Sequence, residues 1–254
     1  MKTSPTSNDL WISELQGLGH RHKPLYSIIF ENQDFLIVQK NSGLAVQTTD
    51  HIQRDLETLL KEKYGEGIFV LNRIDQPVTG LVIFARNKQF ADLFSQLIKD
   101  RKIKKEYLAI VSGHPKLDER VLAKHYIKKL HNRSMTSDEP MDSNYKEAVL
   151  YYTPLQHFEH YSLLQIELVT GRFHQIRAQM ATLGMPVKGD LKYGSKRPNL
   201  DKSICLLSYK LEFSHPISGE LFCFTSDIPD NDVLWQLINQ ELLTKNYSSK
   251  TIGQ

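Results

Sequence analysis

The chain contains many short apolar or alternating segments and few segments with helical periodicity. Runs bounded by turn residues predict strands at residues 35–38, 43–46, 68–71, 81–85, 107–111, 148–152, 161–169, 204–213 and 221–225. Apolar residues three and four apart predict helices at residues 53–63, 90–98, 173–183 and 230–243. Because the strands cluster and do not alternate strictly with helices, the pattern predicts an α+β fold. Its core is expected to be a mixed, largely antiparallel β-sheet flanked by helices and loops.

Two regions stand out from this pattern. The polar and uneven residues 1–25 are expected to form an extended N-terminal arm, which leaves residues 26–254 as a single domain. Residues 114–144 are polar, charged and weakly patterned, which indicates a mobile segment or an insertion.

Composition is that of an ordinary globular protein, with 254 residues, 40% of them hydrophobic and 24% charged. Cys205 and Cys223 lie in apolar runs without metal-ligand spacing, which is typical of buried, reduced thiols in a cytoplasmic protein. The N-terminus has no apolar core segment, and no run approaches the roughly 18 apolar residues that a membrane span needs. We therefore expect a cytoplasmic protein that does not associate with a membrane.

Positive charge is concentrated in one region, although the formal net charge is only +3. Residues 99–133 hold eleven Lys and Arg against four Asp and Glu, a surplus of seven. The densest cluster comprises Lys99, Arg101, Lys102, Lys104 and Lys105, and a second comprises Lys188, Lys192, Lys196 and Arg197. Such clusters track a phosphate backbone and gain affinity by releasing counterions. From charge alone, a solvated helix end and a solubilising loop remain an equally good interpretation.

Asp75 is a candidate for chemistry because it follows an apolar run and has Arg73 two residues before it. Residues two apart on a strand point to the same side, so the two charges are expected to lie together. A neighbouring cation keeps a carboxylate ionised, as a nucleophile requires. The alternative is a simple turn former, since Asp followed by Gln-Pro is typical of turns.

Arg177 is expected at the edge of the buried stripe of its helix, which Phe173, Ile176, Met180 and Leu183 form. A partly buried guanidinium needs a carboxylate, and an internal pair with Asp75 would supply one. The alternative is an arginine that extends to solvent.

Three further residues are candidates for contacts with a nucleic acid. Tyr107 follows the basic residues Lys104 and Lys105, a position that suits stacking on a base, although a core tyrosine is the alternative. His174 and Gln175 lie at a helix start, where they either bind a nucleic-acid backbone or cap the helix. The histidines lack metal-ligand spacing, and no phosphate loop, GxSxG or dinucleotide motif occurs. The sequence therefore predicts neither a metal nor a cofactor.

Five segments follow one another in the order of the motifs of a known family. They are Asp34–Val46, Asn72–Gly80, Lys105–Gly113, Gly171–Arg177 and Val187–Gly194. In that order they resemble the D-x-x-I/L-V-V-x-K-P-x-G-L-x-V, HRLD-x-x-T-S-G, K-x-Y-x-A-x-V-x-G, GRTHQIR and G-D-x-x-Y-G motifs of the RluA-type RNA pseudouridine synthases. The resemblance covers roughly residues 30–215. It implies the pseudouridine synthase fold with a central basic active-site cleft, and a catalytic domain over residues 26–254.

The resemblance also implies roles for single residues. Asp75 matches the catalytic aspartate, Arg177 the arginine that pairs with it, and Tyr107 the tyrosine that stacks on the target base and is the candidate for later proton removal. Arg73 matches the arginine that occupies the gap left by the extruded nucleotide. Substrate contacts are further expected from Asn72, Lys102, Lys104, Lys105, Arg172, His174 and Gln175. The chain departs from the motif at Asn72 in place of His, at Ile74 in place of Leu, and at Val78-Thr79-Gly80 in place of Thr-Ser-Gly.

The implied activity is the isomerisation of a specific uridine in a tRNA or rRNA stem-loop to pseudouridine, without a cofactor. No S4-type RNA-binding module is expected, because only about 25 residues precede the first motif. We expect a monomer that binds RNA. The alternative is a non-catalytic RNA-binding or ribosome-assembly factor on the same fold, for which the Asn72 departure is the only support.

Overall fold

The computed structural model describes residues 24–49 and 54–250, with side chains described as far as residue 241. The predicted N-terminal arm, residues 1–25, therefore lies almost entirely outside the described residues. None of the helices in the described ranges is long and apolar enough to cross a membrane.

Eleven strands in the described ranges form one sheet. They are β1 (Tyr26–Glu31), β2 (Phe35–Lys40), β3 (Phe69–Val70), β4 (Thr79–Ala85), β5 (Lys104–Ser112), β6 (Val121–Lys129), β7 (Ser134–Ser137), β8 (Lys146–His157), β9 (Tyr161–Leu168), β10 (Leu206–Ser214) and β11 (Leu221–Thr225). Their order is β1-β2-β4-β10-β5-β9-β8-β6-β7, with β3 beside β4 and β11 beside β10. The β4–β10 pair is parallel and the other described pairs are antiparallel. The sheet is therefore mixed and largely antiparallel, as the sequence predicts.

Four α-helices in the described ranges pack on this sheet. They are α1 (Leu56–Tyr64), α2 (Lys88–Lys99), α3 (Gln175–Thr182) and α4 (Val233–Lys250), and a short 3₁₀ turn covers Leu191–Tyr193. The Asp55 side chain accepts a hydrogen bond from the Thr58 N–H at the start of α1, and Asn87 does the same for Phe90 at the start of α2. Side-chain caps therefore fix where these two helices begin.

The two faces of the sheet bury different apolar clusters because side chains alternate along each strand. One face includes Val82 of β4 and Ala109 of β5 and is covered by α1 and α3, through residues such as Leu60 and Ile176. The opposite face is covered by α2 around Phe90 and Phe94 and by α4 around Trp235 and Ile238. The core therefore lies on both sides of the central strands β4, β10 and β5.

Gly80 permits the parallel contact at the centre of the sheet. It lies opposite Ser208 in the β4–β10 register, and its φ of 122° is one that side-chain-bearing residues rarely adopt. A Cβ atom at this position would lie 2.3 Å from the Ser208 carbonyl oxygen. Residue 80 must therefore be glycine for β10 to reach β4.

One local prediction is wrong. Residues 43–46 do not form a strand; the carbonyls of Ala45 and Val46 instead accept hydrogen bonds from the first N–H groups of α1. Their apolar alternation reflects burial of a loop against the core. Residues 114–144, for which a mobile segment or an insertion is predicted, contain β6 and β7 in the structure. The apolar alternation of β6 is weak in the sequence because its buried positions include His125 and its outward positions include Lys124 and Lys128.

Candidate active site

A rigidly held loop between β3 and β4 carries Asp75. The Asn72 side-chain oxygen accepts a hydrogen bond from the Ile83 N–H at 2.7 Å, which joins the start of the loop to β4. The Asp75 carbonyl accepts from the Val78 N–H at 3.0 Å and closes a turn. Asn72, which stands where the motif has histidine, therefore has a structural role.

A buried lysine holds the other side of this loop. Lys40, at the end of β2, has no exposed surface, and its Nζ donates to the carbonyls of Asn41 at 3.0 Å, Gln76 at 3.2 Å and Val78 at 2.6 Å. Burial lowers the pKa of Lys40 to about 7, and the charge of Asp75 opposes that shift. The loop is thus fixed before Asp75 by Asn72 and after Asp75 by Lys40.

Arg177 of α3 joins two carboxylates. Its Nε and Nη2 contact both oxygens of Asp190 at 2.6 and 2.9 Å, and its Nη1 donates to Asp75 Oδ2 at 2.8 Å. Burial lowers the pKa of Arg177, but the contacts with Asp190 and Asp75 raise it by more, so that it lies above its ordinary value. The predicted ion pair between Asp75 and Arg177 is confirmed, and the bidentate contact with Asp190 sets the direction in which Arg177 points.

His174 faces the same carboxylate oxygen as Arg177. Its Nε2 is 3.6 Å from Asp75 Oδ2, and its Nδ1 is 2.9 Å from the Tyr193 hydroxyl. The imidazole stacks on Phe173 with ring centroids 3.8 Å apart. Burial lowers the pKa of His174 to about 4, although the charge of Asp75 opposes the shift, so the ring is neutral at neutral pH.

Tyr107 of β5 is buried beside Asp75 and lines the same cleft. Burial raises the pKa of Tyr107 to about 12, a hydrogen bond with Ser208 lowers it, and the charge of Asp75 raises it. The side chain is consequently a neutral phenol whose ring belongs both to the core and to the cleft wall.

These residues line an open cleft of about 1010 Å³. Asp75 is the single carboxylate among the residues that line it within the described part of the chain. The positively charged residues that line it are Arg73, Lys99, Arg101, Lys105, Lys129, Arg172, Arg177 and Lys192. Burial lowers the pKa of Lys105, and its Nζ lies 3.7 Å from the point that a Cβ atom at Gly171 would occupy. The cleft therefore offers one anionic group within a strongly cationic surface.

The structure brings most of the sequence-predicted residues into this cleft. Asp75, Tyr107, Arg177, Arg73, Asn72, Lys105, Arg172 and His174 all line it. Arg73 is exposed, and no ion pair in the described ranges joins it to Asp75. Of the two arginines expected beside Asp75, Arg177 contacts the carboxylate and Arg73 does not.

Three of the expected substrate-binding residues, Gln175, Lys102 and Lys104, are not among the residues that line this cleft. Gln175 is buried, and its side-chain oxygen accepts from the Thr170 hydroxyl at 2.8 Å and the Arg172 N–H at 2.9 Å, so it organises the loop before α3. Lys104 and Lys102 do not line the cleft. Lys104 points to the opposite side of β5 from Lys105 and pairs with Glu212 at 2.6 Å. Lysines that are neighbours in the sequence therefore lie on two surfaces, because successive side chains of a strand point to opposite faces of the sheet.

Several residues at or near the cleft are not predicted individually from the sequence. Lys40 is a single lysine that ends an apolar strand, and nothing in its neighbours reveals that it turns inward. Asp190 and Tyr193 belong to a recognised motif, but the partner of each is distant in sequence. Lys129 and Lys192 were part of basic clusters without being singled out. No group of three or more His, Cys, Asp or Glu in the described part of the chain lies close enough to hold a metal ion.

Comparison with known families decides what this arrangement belongs to. A family model described as RNA pseudouridylate synthase matches residues 34–182, which include Asp75, Tyr107 and Arg177. The chain belongs to the RNA pseudouridylate synthase family. It is thus a pseudouridine synthase, an enzyme that isomerises uridine in RNA, and the predicted family is confirmed.

Individual relatives match most of the chain. The chain is 27% identical over 230 residues to a protein named tRNA pseudouridine synthase C from Vibrio parahaemolyticus serotype O3:K6, with 82% of this chain and 92% of the relative covered. It is 28% identical over 220 residues to a protein named ribosomal large subunit pseudouridine synthase D from Nitrosomonas europaea, with 80% and 62% covered.

Solved structures show the same fold. The human RNA pseudouridylate synthase domain containing 4 superposes with a TM-score of 0.67 at 19% identity, covering 84% of this chain and 93% of that one. The human RNA pseudouridylate synthase domain containing 1 gives a TM-score of 0.65 at 24% identity, covering 80% and 83%. The predicted pseudouridine synthase fold is therefore confirmed.

Proposed function

We propose that Asp75 is the catalytic carboxylate with which this synthase converts one uridine of a tRNA or rRNA stem-loop to pseudouridine. The observation that carries the proposal is the position of Asp75 as the single carboxylate lining the described cleft, with Arg177 bonded to one of its oxygens at 2.8 Å. A carboxylate held in this way is preorganised toward the charge that develops on a substrate.

The reaction breaks the N1–C1′ bond of uridine, turns the uracil and joins C5 to C1′. The hydrogen on C5 leaves and N1 gains one, so the composition of the RNA does not change. An ionised Asp75 acts in one of two ways: it attacks C1′ as the base departs, or it begins by removing a proton from C2′. Both routes need a carboxylate free of protons and close to the sugar.

Tyr107 is proposed to support the target base from one side. Its ring forms part of the cleft wall next to Asp75, where a flat aromatic surface suits an extruded base. Its raised pKa, about 12, means that the phenol is neutral, which favours stacking. The same hydroxyl remains the candidate for taking the C5 hydrogen later in the reaction, a step in which the neutral phenol passes its own hydrogen to solvent in the open cleft.

The cationic residues of the cleft are proposed to offset the cost of extruding the uridine. Taking a base out of its stack costs a few kcal/mol, and least in a loop. Phosphate contacts from residues such as Lys99, Arg101 and Lys129 would compensate for that cost. Arg73 is proposed to fill the gap that the nucleotide leaves, a role that its exposure at the cleft supports.

A compact stem-loop is the proposed substrate class. An RNA hairpin is recognised by its shape and by unstacked bases, which suits an open cleft with cations on both sides. The names of the relatives divide between tRNA and large-subunit rRNA, so both RNAs are candidates.

Pseudouridine mapping at nucleotide resolution tests the proposal. tRNA and rRNA would be taken from cells that lack this protein and from the same cells supplied with wild type, Asp75→Asn or Asp92→Asn. Asp92 lies on the exposed surface of α2 beside Lys88, so its substitution makes the same chemical change away from the cleft. We expect one site to disappear on deletion and to return with wild type and Asp92→Asn only.

Two results would contradict the proposal. Restoration of the site by Asp75→Asn would remove Asp75 from its catalytic role, while tight RNA binding by the same variant is expected in either case. If deletion changes no site in tRNA or rRNA, the proposed substrate class is wrong.

A further inference from the structure

His174 lies close to Asp75 but has no role in the chemistry proposed above. Its backbone adopts a left-handed conformation with φ of 51°, which is uncommon for a residue with a side chain. This conformation directly precedes α3 and accompanies the placement of the imidazole between Phe173, Tyr193 and Asp75. A neutral imidazole carries one N–H hydrogen, and the neighbours of a buried ring determine whether it is on Nδ1 or on Nε2.

The neighbours of Tyr193 favour the hydrogen on Nε2. The Ser134 N–H donates to the Tyr193 hydroxyl oxygen at 2.6 Å, so that oxygen already accepts one hydrogen bond. The hydroxyl hydrogen needs an acceptor of its own, and His174 Nδ1 lies 2.9 Å away. Nδ1 then accepts, and Nε2 must carry the hydrogen of the neutral ring.

The other side of the ring supports the same assignment. Nε2 faces Asp75 Oδ2 at 3.6 Å. A hydrogen on Nε2 makes this contact attractive, whereas a lone pair there would face the negative carboxylate and repel it. Contacts of this length in an unliganded site tighten to hydrogen bonds when the substrate binds.

We propose that His174 is a positioning residue whose Nε2–H orients Asp75, and that Tyr193 keeps this hydrogen on Nε2. The inference rests on the proposed role of Asp75. Arg177 would hold the carboxylate from one side and His174 from the other, so that its free oxygen faces the sugar. A neutral donor orients the carboxylate without neutralising the charge that the reaction needs.

The ring stays neutral because of what surrounds it. Burial lowers the pKa of His174 to about 4, and the positive charges of Arg177 and Lys192 lower it as well. The charges of Asp75 and Asp190 raise it. Removal of the Tyr193 hydroxyl takes away a hydrogen bond that only the neutral ring accepts, so Tyr193→Phe should raise this pKa.

The first test detects the hydrogen directly and requires no activity. Two-bond ¹H–¹⁵N correlation spectra of the histidine rings distinguish the two tautomers, with His174 assigned by comparison with His174→Gln. We expect wild type to show a neutral ring with the hydrogen on Nε2 at pH 6 to 7. Tyr193→Phe should show mixed tautomers and a higher pKa, whereas the control Tyr152→Phe, another buried tyrosine, should leave both unchanged. A hydrogen on Nδ1 in wild type overturns the proposal.

The second test measures the effect on turnover. Unmodified total tRNA and rRNA from cells lacking the protein serve as substrate for wild type, Tyr193→Phe, His174→Leu and His174→Gln. Loss of a hydrogen bond to a charged group corresponds to a fall in kcat of about 10- to 100-fold, with KM little changed, for His174→Leu. His174→Gln retains a neutral N–H donor and should recover most of the rate. For Tyr193→Phe we expect an intermediate fall in kcat, with an acid limb at higher pH.

The outcomes separate this inference from the proposed function. If wild type is inactive on both RNAs while the Nε2 hydrogen is observed, the substrate proposal fails and the hydrogen-bond chain stands. If wild type is active but His174→Leu keeps its full kcat, or if His174→Gln is as slow as His174→Leu, His174 does not position Asp75.

Discussion

At the scale of single residues, the contacts of Arg177 show how one side chain joins two parts of the site. Its three donor nitrogens are divided between Asp190 and Asp75, and all three distances are under 3 Å. Because Asp190 takes two of them in a bidentate pair, the third can point in one direction only. The orientation of Asp75 therefore depends on a residue that does not line the cleft.

Replacing Asp190 tests how much this pair stabilises the fold. Asp190→Asn leaves a buried guanidinium with Asp75 as its remaining counter-charge, and breaking a buried pair costs about 3–5 kcal/mol. We expect a loss of that size in the free energy of unfolding, measured by urea denaturation. Glu212→Gln, which breaks the solvent-exposed pair with Lys104, should leave the free energy of unfolding almost unchanged. Equal losses for the two variants would show that the pair is not important for stability.

The buried Lys40 predicts a pH dependence of stability. Its pKa is about 7 in the folded protein and 10.5 in the unfolded chain, so between these values the unfolded chain alone holds the proton. Stability should therefore rise with pH from about 7 to 10.5. Lys40→Met removes this dependence, and the difference in free energy of unfolding between wild type and variant should grow over that range. A difference that is constant with pH would show that Lys40 does not titrate between the two states.

Sequence patterns reach some of these residue-scale features and miss others. Arg177 at the edge of an apolar helical stripe predicts a carboxylate partner, and Asp75 is that partner. Asp190 gives no such signal, since its neighbours lack regular periodicity and its partner lies 13 residues back. Lys40 looks like the polar end of a strand, because its three carbonyl acceptors belong to loops whose path the pattern does not show.

At the scale of elements, the cleft has two walls that come from different parts of the sheet. The C-terminal end of α2 contributes Lys99, and Arg101 follows it. The end of β6 contributes Lys129, whose Nζ lies 4.9 Å from the Phe173 ring, and the 3₁₀ turn contributes Lys192. Lys192 also donates to the Asn132 carbonyl at 2.9 Å, which ties this turn to the β6–β7 hairpin.

The salt dependence of RNA binding distinguishes cleft cations from their sequence neighbours. Lys129→Gln with Lys192→Gln removes two cations of the cleft, and Lys102→Gln with Lys104→Gln removes two outside it. Both variants change the net charge equally. Each lost phosphate contact reduces the slope of log K against log salt by roughly 0.7–0.9, so the first pair should reduce it by roughly 1.5. An equal reduction by the second pair would place the RNA on another surface.

Local patterns identify most elements of this fold but not their boundaries. The strands at residues 81–85 and 107–111 are found, yet they extend to Thr79–Ala85 and Lys104–Ser112 in the structure. Polar and small residues at strand ends weaken the pattern while the hydrogen-bond ladder continues through them. Residues 43–46 show the reverse, because a buried loop has the same alternation as a strand.

At the scale of the whole molecule, α4 ties the C-terminal region to the back of the sheet. Trp235 is buried against Leu108, Ile110 and Leu207. Lys188 pairs with Asp232 just before this helix. Lys188 is two residues from Asp190, so its pair with Asp232 also connects α4 to the chain segment that holds Arg177. The helix itself packs on the side of the sheet opposite the cleft and supports that side.

Truncating Trp235 measures that support. Trp235→Ala removes a large, fully buried side chain and should lower the free energy of unfolding by about 3–5 kcal/mol. Leu237→Ala on the same helix truncates a side chain that is 43% exposed and should change it by about 0.5 kcal/mol. Thermal or urea unfolding followed by circular dichroism measures both. Similar losses for the two variants would show that α4 does not depend on Trp235 for its packing.

The order of the strands is the feature that the sequence does not predict. Alternation tells which side chains face the core, but it does not tell which strand lies beside which. Strand β10 follows β9 in sequence and yet lies between β4 and β5. The close approach that makes this possible is between Gly80 and Ser208, which are 128 positions apart in the sequence.

This insertion of a late strand at the centre constrains how the protein is made. While a ribosome is still producing residues before 206, β4 and β5 have no strand between them, and the early and middle strands form separate pieces with unpaired inner edges. Unpaired edges bind other chains readily. Nascent protein should therefore be most prone to aggregation, and free of catalytic activity, until the strand that joins the two pieces has left the ribosome.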